Sequence, residues 1–106
     1  MPDDLIYVVE DDAAMRRSIV FLAESVGWTV RAFASAEAFL AEAELERGSC
    51  LILDIRMPTM SGLELQQELA RRQAALPVVF ITGHGDVAMA VQAMKLGAQD
   101  FIEKPF

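Results

Sequence analysis

Leu5-Ile6-Tyr7-Val8-Val9 is an unbroken apolar run, as a strand covered on both faces requires. Behind it the period changes. Met15, Ile19, Leu22 and Val26 recur at helical spacing, with Asp12 placed to cap that helix and Gly27 to stop it. From Trp28 to Phe33 apolar residues alternate with Thr29 and Arg31, which predicts an edge strand. Ser35 opens a second helix that runs through Leu45 and ends by Gly48. Leu51-Ile52-Leu53 is the next buried strand. Ser61-Gly62-Leu63-Glu64 spells a capping box, in which Ser61 accepts from the third amide of a helix and Glu64 reaches back. Leu65 and Leu69 share that helix's inner face, and Glu68 stands one turn before Arg72. Pro77 leads into the strand Val78-Val79-Phe80-Ile81. Asp86 is the expected cap of a fourth helix, with Val87, Val91 and Met94 on its apolar stripe and Gly97 at its end. Phe101-Ile102 is the core of a last short strand, broken by Pro105.

Four β-α pairs followed by a strand predict an α/β fold, a parallel sheet with right-handed crossovers and helices on both faces. Nothing after the fifth strand remains to make a fifth helix. Residues 1–106 therefore read as one domain that stops one helix early, and apolar strand surface should be left bare.

Composition narrows the function. Sixteen Asp and Glu against nine Lys and Arg give a net charge of −7, and the longest basic cluster is a pair, Arg16-Arg17 or Arg71-Arg72. Direct grip on nucleic acid, which needs clustered cations, is not expected. One cysteine, Cys50, excludes an internal disulfide. No apolar run approaches a membrane span, and the acidic N-terminus is unlike a signal peptide, so a cytoplasmic chain without a membrane role is expected.

Sites in open α/β sheets form beyond the carboxyl ends of strands. Glu10, Asp11 and Asp12 follow the first strand, Asp54 the third, Thr82 the fourth, and Glu103 and Lys104 the fifth. If the first and third strands are neighbours, at least three carboxylates crowd one pocket, and like charges that close call for a cation. Hard oxygen donors in this number suit Mg²⁺. Zinc is not expected with only Cys50 and His84 as soft ligands. A nucleophilic acid, a metal, an ammonium and a hydroxyl are the parts of phosphoryl transfer to an aspartate.

Four segments then carry a resemblance: Val8-Val9-Glu10-Asp11-Asp12, Leu53-Asp54-Ile55-Arg56-Met57-Pro58, Ile81-Thr82-Gly83-His84-Gly85-Asp86 and Phe101-Ile102-Glu103-Lys104-Pro105-Phe106. In this order they resemble the receiver domain of two-component response regulators, most closely the subgroup of the nitrogen-fixation regulator FixJ. The resemblance covers the whole chain. It implies the strand order 2-1-3-4-5 of flavodoxin and of the chemotaxis receiver CheY. It implies Asp54 as phosphoacceptor, and Asp11, Glu10, Asp54 and the backbone carbonyl of Arg56 around Mg²⁺. Thr82 and Phe101 become the switch pair, and Lys104 the phosphate's cation, followed by a cis bond to Pro105. The implied partner is a histidine kinase. The face of the fourth helix and fifth strand would pair with a second copy or another protein. DNA would be reached only through a helix-turn-helix output domain outside this chain. Chemistry is limited to slow self-phosphorylation and self-dephosphorylation rather than a metabolic reaction. Glu10 stands where Asp is common and Phe101 where Tyr is frequent; both occur in the family.

Other readings fit less well. An aspartate-nucleophile phosphatase places a second Asp two residues after the first, where this chain has Arg56. A flavin-binding module would present its cofactor's phosphate to Glu10-Asp11-Asp12, which repel it. An unphosphorylated interaction module has no use for the Asp54, Thr82 and Lys104 set. Asp12 is best read as a plain helix cap, His84 as a loop residue, and Cys50 and the six Met as packing.

Overall fold

The computed structural model describes residues 4–83 and 86–103, apart from the side chain of Val87. In chain order these form β1 (Leu5–Val9), α1 (Ala13–Ser25), β2 (Thr29–Phe33), α2 (Ala36–Glu42), a 3₁₀ turn (Leu45–Arg47), β3 (Cys50–Asp54), α3 (Gly62–Arg71), β4 (Val78–Thr82), α4 (Val87–Lys95) and β5 (Asp100–Glu103). The strands make one sheet in the order β2-β1-β3-β4-β5, with every neighbouring pair parallel. This is the expected doubly wound order. The run Leu5–Val9 is buried at all five positions because its strand lies between two neighbours and under two helical layers.

Alternate residues of β1 feed different cores. Leu5, Tyr7 and Val9 join Phe39 of α2, Leu65 and Leu69 of α3, and Ala90 and Ala93 of α4 on one face. Ile6 and Val8 join Ile19 of α1 and Ile81 of β4 on the other. Among the described residues three helices thus cover the first face and α1 covers the second. The rest of that second face is an open apolar groove lined by residues including Leu22, Val26, Trp28, Ile52, Ile81 and Ile102. Leu22 and Val26, predicted for the inner stripe of α1, are exposed because they border this groove. Among the described residues no helix is long and apolar enough to cross a membrane.

Caps set the helix starts. Asp12 accepts from the amides of Ala14 and Met15. Ser35 accepts from Ala38, and Ser61 and Glu64 form both bonds of the capping box. Gly27 and Gly97 turn the chain out of α1 and α4 with φ of 93° and 105°.

Besides α1, two helices differ from the sequence pattern. The second ends at Glu42 rather than Leu45. There the Tyr7 hydroxyl donates to the carbonyl of Glu44 at 2.7 Å, and Ala43 and Glu44 are extended before the 3₁₀ turn. A hydrogen bond from the core strand holds a carbonyl that would otherwise continue the helical ladder. In α4 the buried face is Ala90 and Ala93, whereas Val91 and Met94 are exposed. Small residues let this helix lie close, and Gln66 Nε2 of α3 donates to the Ala93 carbonyl at 3.1 Å. The larger side chains are thereby turned outward.

Candidate functional site: an acidic pocket at the carboxyl ends of the strands

Register builds the site. Val9 of β1 pairs with Leu53 of β3, so Glu10 and Asp54 emerge side by side. Asp54 in turn pairs with Ile81, and Thr82 with Glu103. One carboxylate oxygen from each of Glu10, Asp11 and Asp54 lies within 4.8 Å of the others. Glu10 and Asp54 are buried and Asp11 is exposed. The pocket therefore has two walls inside the protein and one at the solvent.

The β1–α1 loop is held from several directions. The amide of Glu10 donates to Phe33 of β2 at 3.1 Å, and its Oε2 accepts from the amide of Asp12 at 3.1 Å. Arg16 Nη1, from the first turns of α1, donates to the carbonyl of Glu10 at 2.8 Å. Its charge stands beside the acidic loop without occupying a carboxylate. Asp12 is committed to capping α1, which separates it from the pocket as expected.

Asp54 ends β3, and its Oδ1 accepts from the amide of Arg56 at 3.4 Å. The loop that follows is packed tightly under it. A Cβ on Gly62 would lie 2.3 Å from the Asp54 carbonyl oxygen and 2.9 Å from Cα of Ile55. Only glycine admits that approach, and the amide of Gly62 uses it to donate to the Ile55 carbonyl at 3.0 Å. Sequence reasoning treated Gly62 only as a member of the capping box; its place immediately inside the cap, seven residues after Ile55, was the available signal.

Thr82 is fully buried, and its hydroxyl has no hydrogen-bond partner among the described residues. Such a group costs about 1–3 kcal/mol when left unsatisfied. A ligand at the pocket that offers an acceptor would recover that. Phe101 pairs in register with Phe80 and packs, half-buried, against the three-helix core. Lys104 and its bond to Pro105, together with His84, lie outside the described residues.

Arg56, expected at the site only for its backbone carbonyl, also uses its side chain. Its Nε donates to Oδ1 of Asp86 at 2.5 Å, joining the β3–α3 loop to the residue before α4. The two are 30 residues apart, and no local pattern links them.

Comparison with known proteins points to one family. The model of the response regulator receiver domain matches residues 6–106. The transcriptional regulatory protein FixJ of Azorhizobium caulinodans is 55% identical over 108 residues, covering 100% of this chain and 51% of that protein. Nodulation protein W of Bradyrhizobium diazoefficiens is 53% identical over 102 residues, covering 96% of this chain and 45% of that protein. The crystal structure of FixJ-N superposes with a TM-score of 0.91 at 49% identity, covering 100% of this chain and 85% of that one. The chain spans about half the length of the curated relatives it matches.

Proposed function

Because the chain belongs to the response regulator receiver domain family, in its FixJ-like branch, we propose that it is a phosphorylation switch whose acceptor is Asp54. The observation that carries this reading is the convergence of Glu10, Asp11 and Asp54 within 4.8 Å. Three carboxylates so placed repel one another, which supports a cation as part of the working site. Their hard oxygen donors fit Mg²⁺, which Glu10, Asp11, Asp54 and the Arg56 carbonyl would hold and which would supply positive charge to the oxygens of an incoming phosphoryl group.

The donor is the phosphohistidine of a histidine kinase. An Asp54 carboxylate oxygen forms a new P–O bond as the donor's P–N bond breaks, and the electron pair returns to the imidazole nitrogen. The Thr82 hydroxyl, buried and without a hydrogen-bond partner among the described residues, then turns to a phosphoryl oxygen. Lys104, one residue beyond the register partner of Thr82, brings a second cation. As Thr82 moves toward the site, Phe101 follows into the space it leaves, and the face of α4 and β5 shifts between two states. That face pairs with a second copy or an output domain, through which transcription is regulated. Water later attacks phosphorus and releases Asp54 and inorganic phosphate, so beyond accepting the kinase's phosphoryl group the chemistry is limited to slow self-phosphorylation from small donors and slow self-dephosphorylation. The place of work is the cytoplasm, with no contact between this chain and DNA or a membrane.

Incubation with acetyl phosphate and Mg²⁺ should add one phosphoryl mass to the wild type and none to Asp54→Asn or to wild type with excess chelator. Equal mass addition to wild type and Asp54→Asn would refute the assignment.

A further inference from the structure

Four helices begin at residues suited to capping, yet only three are capped. Asp12, Ser35 and Ser61 have ψ of 116°, 159° and 166°, in the extended range, and each side chain accepts from amides of its helix. Asp86 has ψ of 14°, and its side chain makes no capping bond to α4. Its carboxylate is instead bound to Arg56 at 2.5 Å. Asp86 is buried, whereas Arg56 is exposed at its outer end and anchored by a backbone amide 3.4 Å from Asp54 Oδ1. A phosphoryl group on Asp54 would therefore stand beside the backbone of the residue whose guanidinium holds Asp86.

We infer that Arg56 is a latch with two positions: it holds Asp86 while Asp54 is unmodified, and it turns to the phosphoryl group once Asp54 carries one, leaving Asp86 to cap α4. This rests on the reading of Asp54 as phosphoacceptor. Charge decides the direction. In that reading the charges of Glu10, Asp11 and Asp54 would be balanced by one divalent cation and Lys104. An acyl phosphate of charge about −2 in place of the carboxylate leaves the site one negative charge in excess. Arg56 is a cation already at its edge, and guanidinium binds phosphate oxygens in bidentate fashion more strongly than it binds one carboxylate oxygen.

The released Asp86 cannot stay as it is. A buried carboxylate that loses its partner is costly unless it finds new donors. The donors within its own reach are the amides of Ala88 and Met89, at the positive end of α4. To reach them ψ of Asp86 must turn from 14° to the extended range seen at the other three caps, which rotates the peptide that opens α4. The latch thus gives phosphorylation a direct mechanical connection to the first turn of that helix.

Residue-resolved hydrogen exchange on the full chain, with intact mass recording phosphoryl occupancy, tests both halves. Without phosphodonor, Arg56→Met should slow exchange at Ala88 and Met89 about fivefold relative to wild type, the effect of one side-chain cap. Adding Asp86→Ala to Arg56→Met should abolish the slowing. Wild type brought to full occupancy with acetyl phosphate and Mg²⁺ should show the same slowing, and phosphorylated Asp86→Ala should not. Fully phosphorylated wild type with unchanged exchange at both amides would overturn the latch while leaving Asp54 as acceptor. Failure of the wild type to gain phosphoryl mass would instead refute the acceptor, and unchanged exchange in unmodified Arg56→Met would overturn the release of Asp86 independently of any phosphoryl group.

Discussion

Glu10 and Asp12 are two acids two positions apart with separate roles: one forms a pocket wall and the other is spent on helix amides. That division was legible, because a cap must directly precede its helix and a strand-end acid need not. Gly62 was legible only as part of a motif, since its contact with Asp54 depends on how a loop folds back. Gly62→Ala should lower stability by about 1–3 kcal/mol, the usual range for overpacking, and should reduce phosphoryl uptake at Asp54. Urea unfolding and intact mass measure the two effects, and a fully stable, fully reactive variant would contradict the geometry described. Glu68 shows the same limit. Its pairing with Arg72 at 2.7 Å follows helical spacing, but Arg71 also binds it, at 2.5 Å. Hydrogen bonds from Arg71 and then Arg72 hold its carboxyl at a pKa of about 2, below the ordinary 4.5. A depressed carboxyl stabilises the fold above the unfolded value and loses that contribution as pH falls from 4.5 toward 2. Glu68→Gln should therefore flatten the acid limb of stability in that window, modestly and less at high salt because the pair faces solvent. An unchanged acid limb would show that the pair contributes nothing to folding.

At the scale of elements, periodicity placed every strand and α-helix but misjudged three details. Leu22 and Val26 of α1 face the open groove rather than the core. Helix α2 is cut short by the bond from Tyr7 to Glu44, a contact across 37 residues that no local pattern carries. Helix α4 buries alanines rather than its larger side chains, because closeness to the sheet outweighs hydrophobic bulk where a helix must pack against α3 as well. Capping was the most readable feature, and it yields a quantitative expectation. Ser61→Ala removes the bond to the Glu64 amide and should cost about 1 kcal/mol, read as a lower urea midpoint with unchanged m. The same change should not alter the phosphoryl site, which α3 only supports from below. A cost near zero would mean that solvent replaces the cap.

At the scale of the whole fold, the described residues are asymmetric about the sheet. Among them three helices pack on one face and α1 packs on the other. Which side chains line the open part of that face is not legible from local pattern, because it depends on how α1 lies across the sheet. Leu22, Val26, Trp28 and Ile102 are each more than two-fifths exposed along this groove, a contiguous apolar surface of the kind that drives association. Sedimentation should show the 106-residue chain self-associating as concentration rises, and Val26→Lys should weaken that association with little change in stability. Equal sedimentation of the two proteins at all concentrations would remove the groove from the account. The pocket lies at the other end of the logic: it was legible because parallel strands deliver their carboxyl ends to one rim, so acids scattered over 44 residues of sequence meet there.

The central claim is that Asp54 itself takes the phosphoryl group, and reductive trapping tests it most directly. Borohydride reduces an acyl phosphate to an alcohol, which converts a phosphorylated aspartate to homoserine. After treatment with a phosphodonor and Mg²⁺, then borohydride, peptide sequencing should find homoserine at position 54 and aspartate at positions 11, 12 and 86. Homoserine at any of those other positions, with Asp54 intact, would contradict the account.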